Sequence, residues 1–283
     1  MGIELRDISL DGGRIHYLVA GSGRPLLLLH GVGESSAYWR EVLPRLASRY
    51  TVYAPDLPGY GASDPLPSDE APAPERLAEA MAAFLDTVNG AEAPPAVVVG
   101  HSLGGSIALE LALGYPDRVH RLVLEDSAGL GHYVNPALRA LTVPGYGDVA
   151  TRAGRTSIGA VHRAWARIPL MFAQPHLAPP HWVAEQRRLA GLPHHLHTSL
   201  AALRTQAGPF GQRRVLLDAL PQLRIPTLII WGAQDAVVPV SQARHAASRL
   251  RHGQLAVVPG CGHVPHLERP EHFLDALQSF DTT

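Results

Sequence analysis

The chain contains no lysine: all 24 of its basic residues are arginine. Set against 25 acidic residues, they leave a formal net charge of −1 at pH 7 with histidine neutral. That balance gives no basic stripe of the kind that binds nucleic acid or an anionic membrane. Cysteine is nearly absent too. Cys261 stands alone, which excludes an internal disulfide and fits a reducing compartment. No stretch approaches the roughly 18 consecutive apolar residues of a membrane span. The opening segment MGIELRDISLDGGRIHY is charged early and has no signal-type apolar run. A cytoplasmic protein is expected. What is present is a 283-residue chain, 46% hydrophobic and 17% charged. That is enough for one large domain, or one domain with an insertion, around a packed core.

The apolar residues fall into a rhythm. IELRDISL and RIHYLVA are joined by Asp11-Gly12-Gly13, a hairpin signal. PLLLLHG is a short continuous apolar run, as expected of a strand buried on both faces of a parallel sheet. SAYWREVLPRLASRY has helical spacing, TVYAPDLPG reads as a strand ending in a turn, and PERLAEAMAAFLDTVNG as a helix with Gly90 past its end. The strand AVVVG, the helix SLGGSIALELALGY and the strand VHRLVLEDSAG follow. Such alternation predicts an α/β fold with a mostly parallel central sheet covered by helices. The rhythm fails over 130–212, which is rich in Pro, His, Ala and Arg, with helical pieces in RTSIGAVHRAWARI and PPHWVAEQRRLAG and no strand signal. It resumes with IPTLIIWGAQD, SQARHAASRL, GQLAVVPG and a final helix around PEHFLDALQSF. The expected organisation is a core of 1–129 and 213–283 with a helical lid over 130–212.

Gly100-His101-Ser102-Leu103-Gly104 matches G-x-S-x-G between a strand and a helix. The turn that exposes a serine there is strained, and side chains two positions away would collide, so glycine is required on both sides. The free N–H groups that open the next helix face the reacting centre. A serine nucleophile needs a base, and the base needs an orienting acid. LIIWGAQDAVVP presents Asp235 at one strand end, and LAVVPGCGHVPHLERPE presents His263 at the next. Histidine is neutral near pH 7 and can accept the serine proton, since its unperturbed pKa is about 6.5. Asp126, at the end of VLED, also fits the order serine, acid, histidine and stays open as the acid.

These segments resemble the α/β-hydrolase superfamily, in its form with a helical lid. The resemblance spans Ile3 to Gly129 and Arg213 to Phe280. It rests on HGVG at His30–Gly33, DLPGYGASD at Asp56–Asp64, the serine turn, and the pair WGAQDAVVP and GCGHVPHLERPE. It implies a triad of Ser102, Asp235 and His263, with an oxyanion hole formed by the backbone N–H groups of Leu103 and Val32, Gly33 being the substitute for Val32. Residues beside the acid and base, Val237 and Val264, are expected to face substrate, as are Trp165 and Met171 of the lid. The expected activity is hydrolysis of a small or medium, mainly apolar carboxylic ester through an acyl-enzyme, without metal or organic cofactor. A small molecule is the expected partner, and oligomeric state is left open.

Dehalogenases and epoxide hydrolases of this fold carry aspartate at the turn, where this chain has Ser102. Proline iminopeptidases resemble GGSWG, where this chain reads GHSLG. Carbon–carbon bond hydrolases of ring-cleavage pathways tend to carry tryptophan after the base and Gly-Pro-Gly in the oxyanion loop. Val264 and HGVGES depart from both, which puts that activity second, beside enol-lactonase and thioesterase. A slow-turnover small-molecule receptor is the reading from a different class. His30 and His101 are read as structural, Asp56 as a turn cap, Cys261 as a small buried thiol, His266 as a helix-start residue, and HHLH at His194–His197 as a solvated helix face rather than a metal site.

Overall fold

The computed structural model describes residues 2–67, 71–90 and 93–281. Its strands are β1 (Glu4–Leu10), β2 (Gly13–Ala20), β3 (Arg24–Leu29), β4 (Tyr50–Pro55), β5 (Ala96–His101), β6 (Val119–Glu125), the two-residue β7 (Ala207–Gly208) and β8 (Gly211–Gln212), β9 (Thr227–Gly232) and β10 (Gly253–Val258). Its helices are α1 (Leu43–Leu46), α2 (Pro74–Asn89), α3 (Leu103–Gly114), α4 (Pro136–Thr142), α5 (Tyr146–Gly154), α6 (Ser157–Met171), α7 (Pro180–Ala190), α8 (His195–Gln206), α9 (Val240–Arg249), α10 (Pro265–Glu268) and α11 (Pro270–Asp281).

One eight-stranded sheet has the order β1-β2-β4-β3-β5-β6-β9-β10. Pairings β1–β2 and β2–β4 are antiparallel; the rest are parallel. Alternation along the central strands divides the core. Leu27, Leu29 and Val98 join one buried layer, and Leu26, Leu28, Val97 and Val99 join the layer on the opposite face. Both faces are covered, which is why these strands read as unbroken apolar runs. The chain leaves β3 toward β4 on one side and returns past it to β5 on the other. In open α/β sheets the crevice beyond the strand ends at such a reversal is where ligands bind.

Two segments differ from the sequence reading. SAYWREVLPRLASRY is a 3₁₀ turn over Ser36–Glu41 followed by the single turn α1, because Pro44 cannot donate to a continuing helix and restarts one at its first turn. Within 130–212, where no strand was expected, β7 and β8 pair as a minimal hairpin. Two-residue strands are too short to carry a periodicity. The remainder of that stretch consists of α4 to α8 and a 3₁₀ turn at Pro175–Leu177. No helix among the described residues is long and apolar enough to cross a membrane.

Candidate active site

Ser102 sits between β5 and α3 with φ 53° and ψ −113°, left-handed backbone that costs free energy for any residue bearing a Cβ. Its surroundings hold it there. The Ser102 amide donates to Glu125 O at 3.0 Å, and Ser102 O accepts from the amides of Gly105 and Ala128, each at 3.0 Å. The flanking glycines are steric requirements. A Cβ on Gly100 would lie 2.2 Å from Gly104 O, and one on Gly104 would lie 2.1 Å from Leu29 O. The close approach of α3 to β3 and β5 therefore depends on hydrogen at both positions.

His263 follows β10 and is buried. Its amide donates to Met171 O at 2.7 Å, tying this loop to the end of α6. Its Nδ1 lies 2.8 Å from Asp235 Oδ2. A carboxylate can only accept, so Nδ1 carries the proton and Nε2 is the basic nitrogen. Asp235 Oδ1 accepts from the amides of Val237, at 2.7 Å, and Val238, at 3.1 Å. Those donors fix the orientation of its carboxylate. Ser102 and His263 line the same cavity, of about 440 Å³. No hydrogen bond joins their side chains among the described residues, an arrangement common before substrate tightens a site.

Asp126, the alternative acid, lies beside this pair. Its Oδ1 accepts from Gly232 N at 3.0 Å, and ligand atoms of Asp126, Asp235 and His263 all fall within 4.8 Å of one another. It also has left-handed backbone, φ 42°. Burial, reinforced by the neighbouring Asp235 charge, pushes its carboxyl well above the usual range. It is Asp235, not Asp126, that makes the hydrogen bond to His263 Nδ1.

The loop after β3 brings Val32 to the cavity. Leu103 is the first residue of α3 and lines an adjoining recess with Val32 and Ser102. Neither the Val32 nor the Leu103 amide has a protein acceptor among the described residues. His30 fixes this loop: its Nδ1 meets Gly31 O at 2.9 Å and its Nε2 accepts from Leu57 N at 3.0 Å. Asp56 caps its turn by accepting from Ser36 N and Ala62 N. Cys261 is fully buried, and burial pushes its thiol pKa up.

Of the other expected contacts, Gly33, Val237 and Met171 line the cavity. Val264 and Trp165 are corrections. Val264 is fully buried in the core and is not among the lining residues. It precedes α10 with φ −134° and ψ 64°, and its side chain packs in the core layer. Trp165 is 61% exposed. It lies two residues from both Arg163 and Arg167, which line the cavity, and a two-residue step on a helix crosses to the other side. His195 departs from the expected solvated face: it is buried against Tyr60, and burial pulls its pKa down to about 3.

Sequence reasoning missed a charged network under the site. His101 Nδ1 lies 3.1 Å from Glu34 Oε2, and its Nε2 lies 2.7 Å from His263 O. Both ring nitrogens face acceptors, so both must donate and the ring is an imidazolium. Burial opposes that charge, but the Glu34 carboxylate outweighs it and lifts the His101 pKa to about 9. Burial likewise works against Glu34, and His101 overrides it, holding the carboxyl at about 2. Glu34 also accepts from Gly31 N at 2.8 Å. One ion pair thus connects the loop after β3, the serine turn and the backbone of His263. Beside it, His266 Nδ1 bonds the Glu125 carboxylate at 2.9 Å.

Comparison with known proteins gives consistent matches. A family model described as alpha/beta hydrolase fold matches residues 24–270. The chain is 30% identical to 2-hydroxymuconate semialdehyde hydrolase of Pseudomonas sp. (strain CF600), covering 97% of this chain and 93% of that protein. It is also 30% identical to pimeloyl-[acyl-carrier protein] methyl ester esterase of Aeromonas hydrophila, covering 92% of this chain and 96% of that protein. Among solved structures, a thermophilic esterase from Thermogutta terrifontis superposes with a TM-score of 0.79 at 26% identity, over 99% of this chain and 98% of that one.

Proposed function

The chain belongs to the α/β-hydrolase family, and from that premise we propose that it is a serine hydrolase acting on small or medium carboxylic esters through an acyl-enzyme. The supporting observation is the His263–Asp235 hydrogen bond of 2.8 Å facing the cavity that Ser102 also lines. His263 Nε2 takes the proton of Ser102 as its oxygen attacks the substrate carbonyl. The amides of Val32 and Leu103 receive the developing oxyanion; two such donors matter because losing one commonly costs about 10²–10³ in rate. His263 then protonates the leaving alcohol and later activates the water that releases the acid. Asp235 holds the imidazole tautomer and offsets the charge that forms on the ring. The helices α4 to α8 serve as a lid: Leu138, Leu141, Leu170, Leu196 and Leu200 line the cavity, which suits an apolar substrate body.

Similarity to 2-hydroxymuconate semialdehyde hydrolase supports a second reading, carbon–carbon bond hydrolysis by the same residues. The test is a substrate panel of esters, thioesters, lactones and vinylogous diketones, run with a fluorophosphonate label. Ester turnover with labelling confined to Ser102, both lost in Ser102→Ala, is expected. Turnover of the diketones alone favours the second reading. Labelling without turnover of any substrate favours a receptor.

A further inference from the structure

The cavity is lined mostly by apolar side chains, with Glu34, Ser102, Thr151, His162, Ser199 and His263 among its polar ones, and two cations join them. Arg163 and Arg167, one helical turn apart on α6, both line it together with Ser102 and His263. Their guanidinium tips converge on the loop after β3. A Cβ placed on Gly33 would lie 2.7 Å from Arg167 Nη1 and 2.9 Å from Arg163 Nη2. Gly33 directly follows Val32, so the two cations sit beside the expected oxyanion hole.

The protein does not satisfy them. Arg163 donates to Gln186 Oε1 at 3.1 Å and has no carboxylate within ion-pair distance among the described residues. Arg167 reaches Val32 O at 3.4 Å and Glu34 Oε1 only at 3.9 Å, and its buried Nε has no partner. Glu34 Oε2 takes the bonds from His101 and Gly31 N, while its Oε1, 3.9 Å from Arg167, has no hydrogen-bond partner. Each guanidinium carries five donors, so most of the donor capacity of the pair is unused. Two like charges held together and partly buried, with Glu34 the one carboxylate within ion-pair distance among the described residues, destabilise each other: burial first, and then the Arg167 charge, pulls the Arg163 pKa down to about 9. The helix cannot swing them apart freely, because Met171 at its end is bonded to the His263 amide.

We propose that Arg163 and Arg167 form an anion subsite that binds a carboxylate on the substrate, so that the natural substrates are esters whose apolar body carries an acid group. This rests on the hydrolase reading above. A carboxylate would complete both guanidinium forks with charge-assisted hydrogen bonds, while the leucines of the cavity hold the carbon chain. This departs from the expectation of a mainly apolar ester, in which a hydrophobic acyl group is favoured over a charged chain.

The test compares the mono-p-nitrophenyl ester of glutarate with its neutral methyl ester counterpart. Wild-type kcat/KM is expected to favour the acid by about tenfold or more, the scale of one charge-assisted hydrogen bond. Arg163→Gln should lower kcat/KM for the acid about 10- to 100-fold and for the neutral ester by no more than about threefold, with Arg163→Lys restoring part of the loss. Calorimetry on Ser102→Ala with monoethyl glutarate and diethyl glutarate reads binding without turnover and should show the same preference. Equal kcat/KM for the two esters, equal losses on both in Arg163→Gln, or equal binding of the two glutarates to Ser102→Ala would each overturn the subsite. If neither ester is turned over but Ser102→Ala selects the acid, the hydrolase reading fails and the anion subsite stands.

Discussion

Glu34→Gln isolates the ion pair beneath the site. Glu34 and His101 have no exposed side-chain surface and meet at 3.1 Å. Removing one partner of a buried pair costs about 3–5 kcal/mol. Glutamine can still accept from Gly31 N, which puts the loss near the lower bound. For a chain of this size about 1 kcal/mol corresponds to roughly 2 °C, so Tm should fall by about 6 °C. The pH dependence is the sharper feature. His101 is raised in the folded state from 6.5 to about 9, so its contribution is fully present below pH 6.5 and is lost as pH rises through about 9. Glu34 is depressed from 4.5 to about 2, so its contribution is present above pH 4.5 and is lost as pH falls through about 2. The Tm gap between wild type and variant should therefore be widest between pH 4.5 and 6.5 and close as pH passes 9. Calorimetric melts in steps from pH 4.5 to 10 measure this. A gap independent of pH, or one that widens above pH 9, would refute the imidazolium assignment.

Two further substitutions probe the acids and the serine turn. Asp235→Asn should lower kcat by about 10⁴, as loss of the orienting acid does elsewhere, whereas Asp126→Asn should cost less than about tenfold, because Asp126 bonds Gly232 N and makes no hydrogen bond to His263 among the described residues; steady-state kinetics on one ester decides, and equal losses would contradict the division of roles. Gly104→Ala should destabilise by more than about 4 kcal/mol, read as loss of soluble folded protein, since its methyl would meet Leu29 O at 2.1 Å; a folded variant with near wild-type Tm would contradict the steric account.

The sheet and the serine turn were legible, and Ser102, Asp235 and His263 could be named as candidates, because each sits in a local pattern: an apolar run, a glycine pair, a polar residue in the loop after a strand. The Glu34–His101 and Glu125–His266 pairs were not, because their partners lie 67 and 141 residues apart and nothing local to either marks the pairing. Trp165 misled because apolarity stood in for orientation. Helical spacing separates it from Arg163 and Arg167, but only packing reveals which side of α6 faces the cavity. Val264 was misplaced by adjacency, since neighbouring residues at a loop-to-helix turn point in different directions.

Rapid-quench mass spectrometry after mixing with a p-nitrophenyl ester asks directly whether position 102 carries the acyl group. A transient adduct on the peptide holding Ser102, with a p-nitrophenol burst that disappears in His263→Ala, is the expected result. An adduct on any other residue, Cys261 included, or a burst unchanged in His263→Ala, would contradict it.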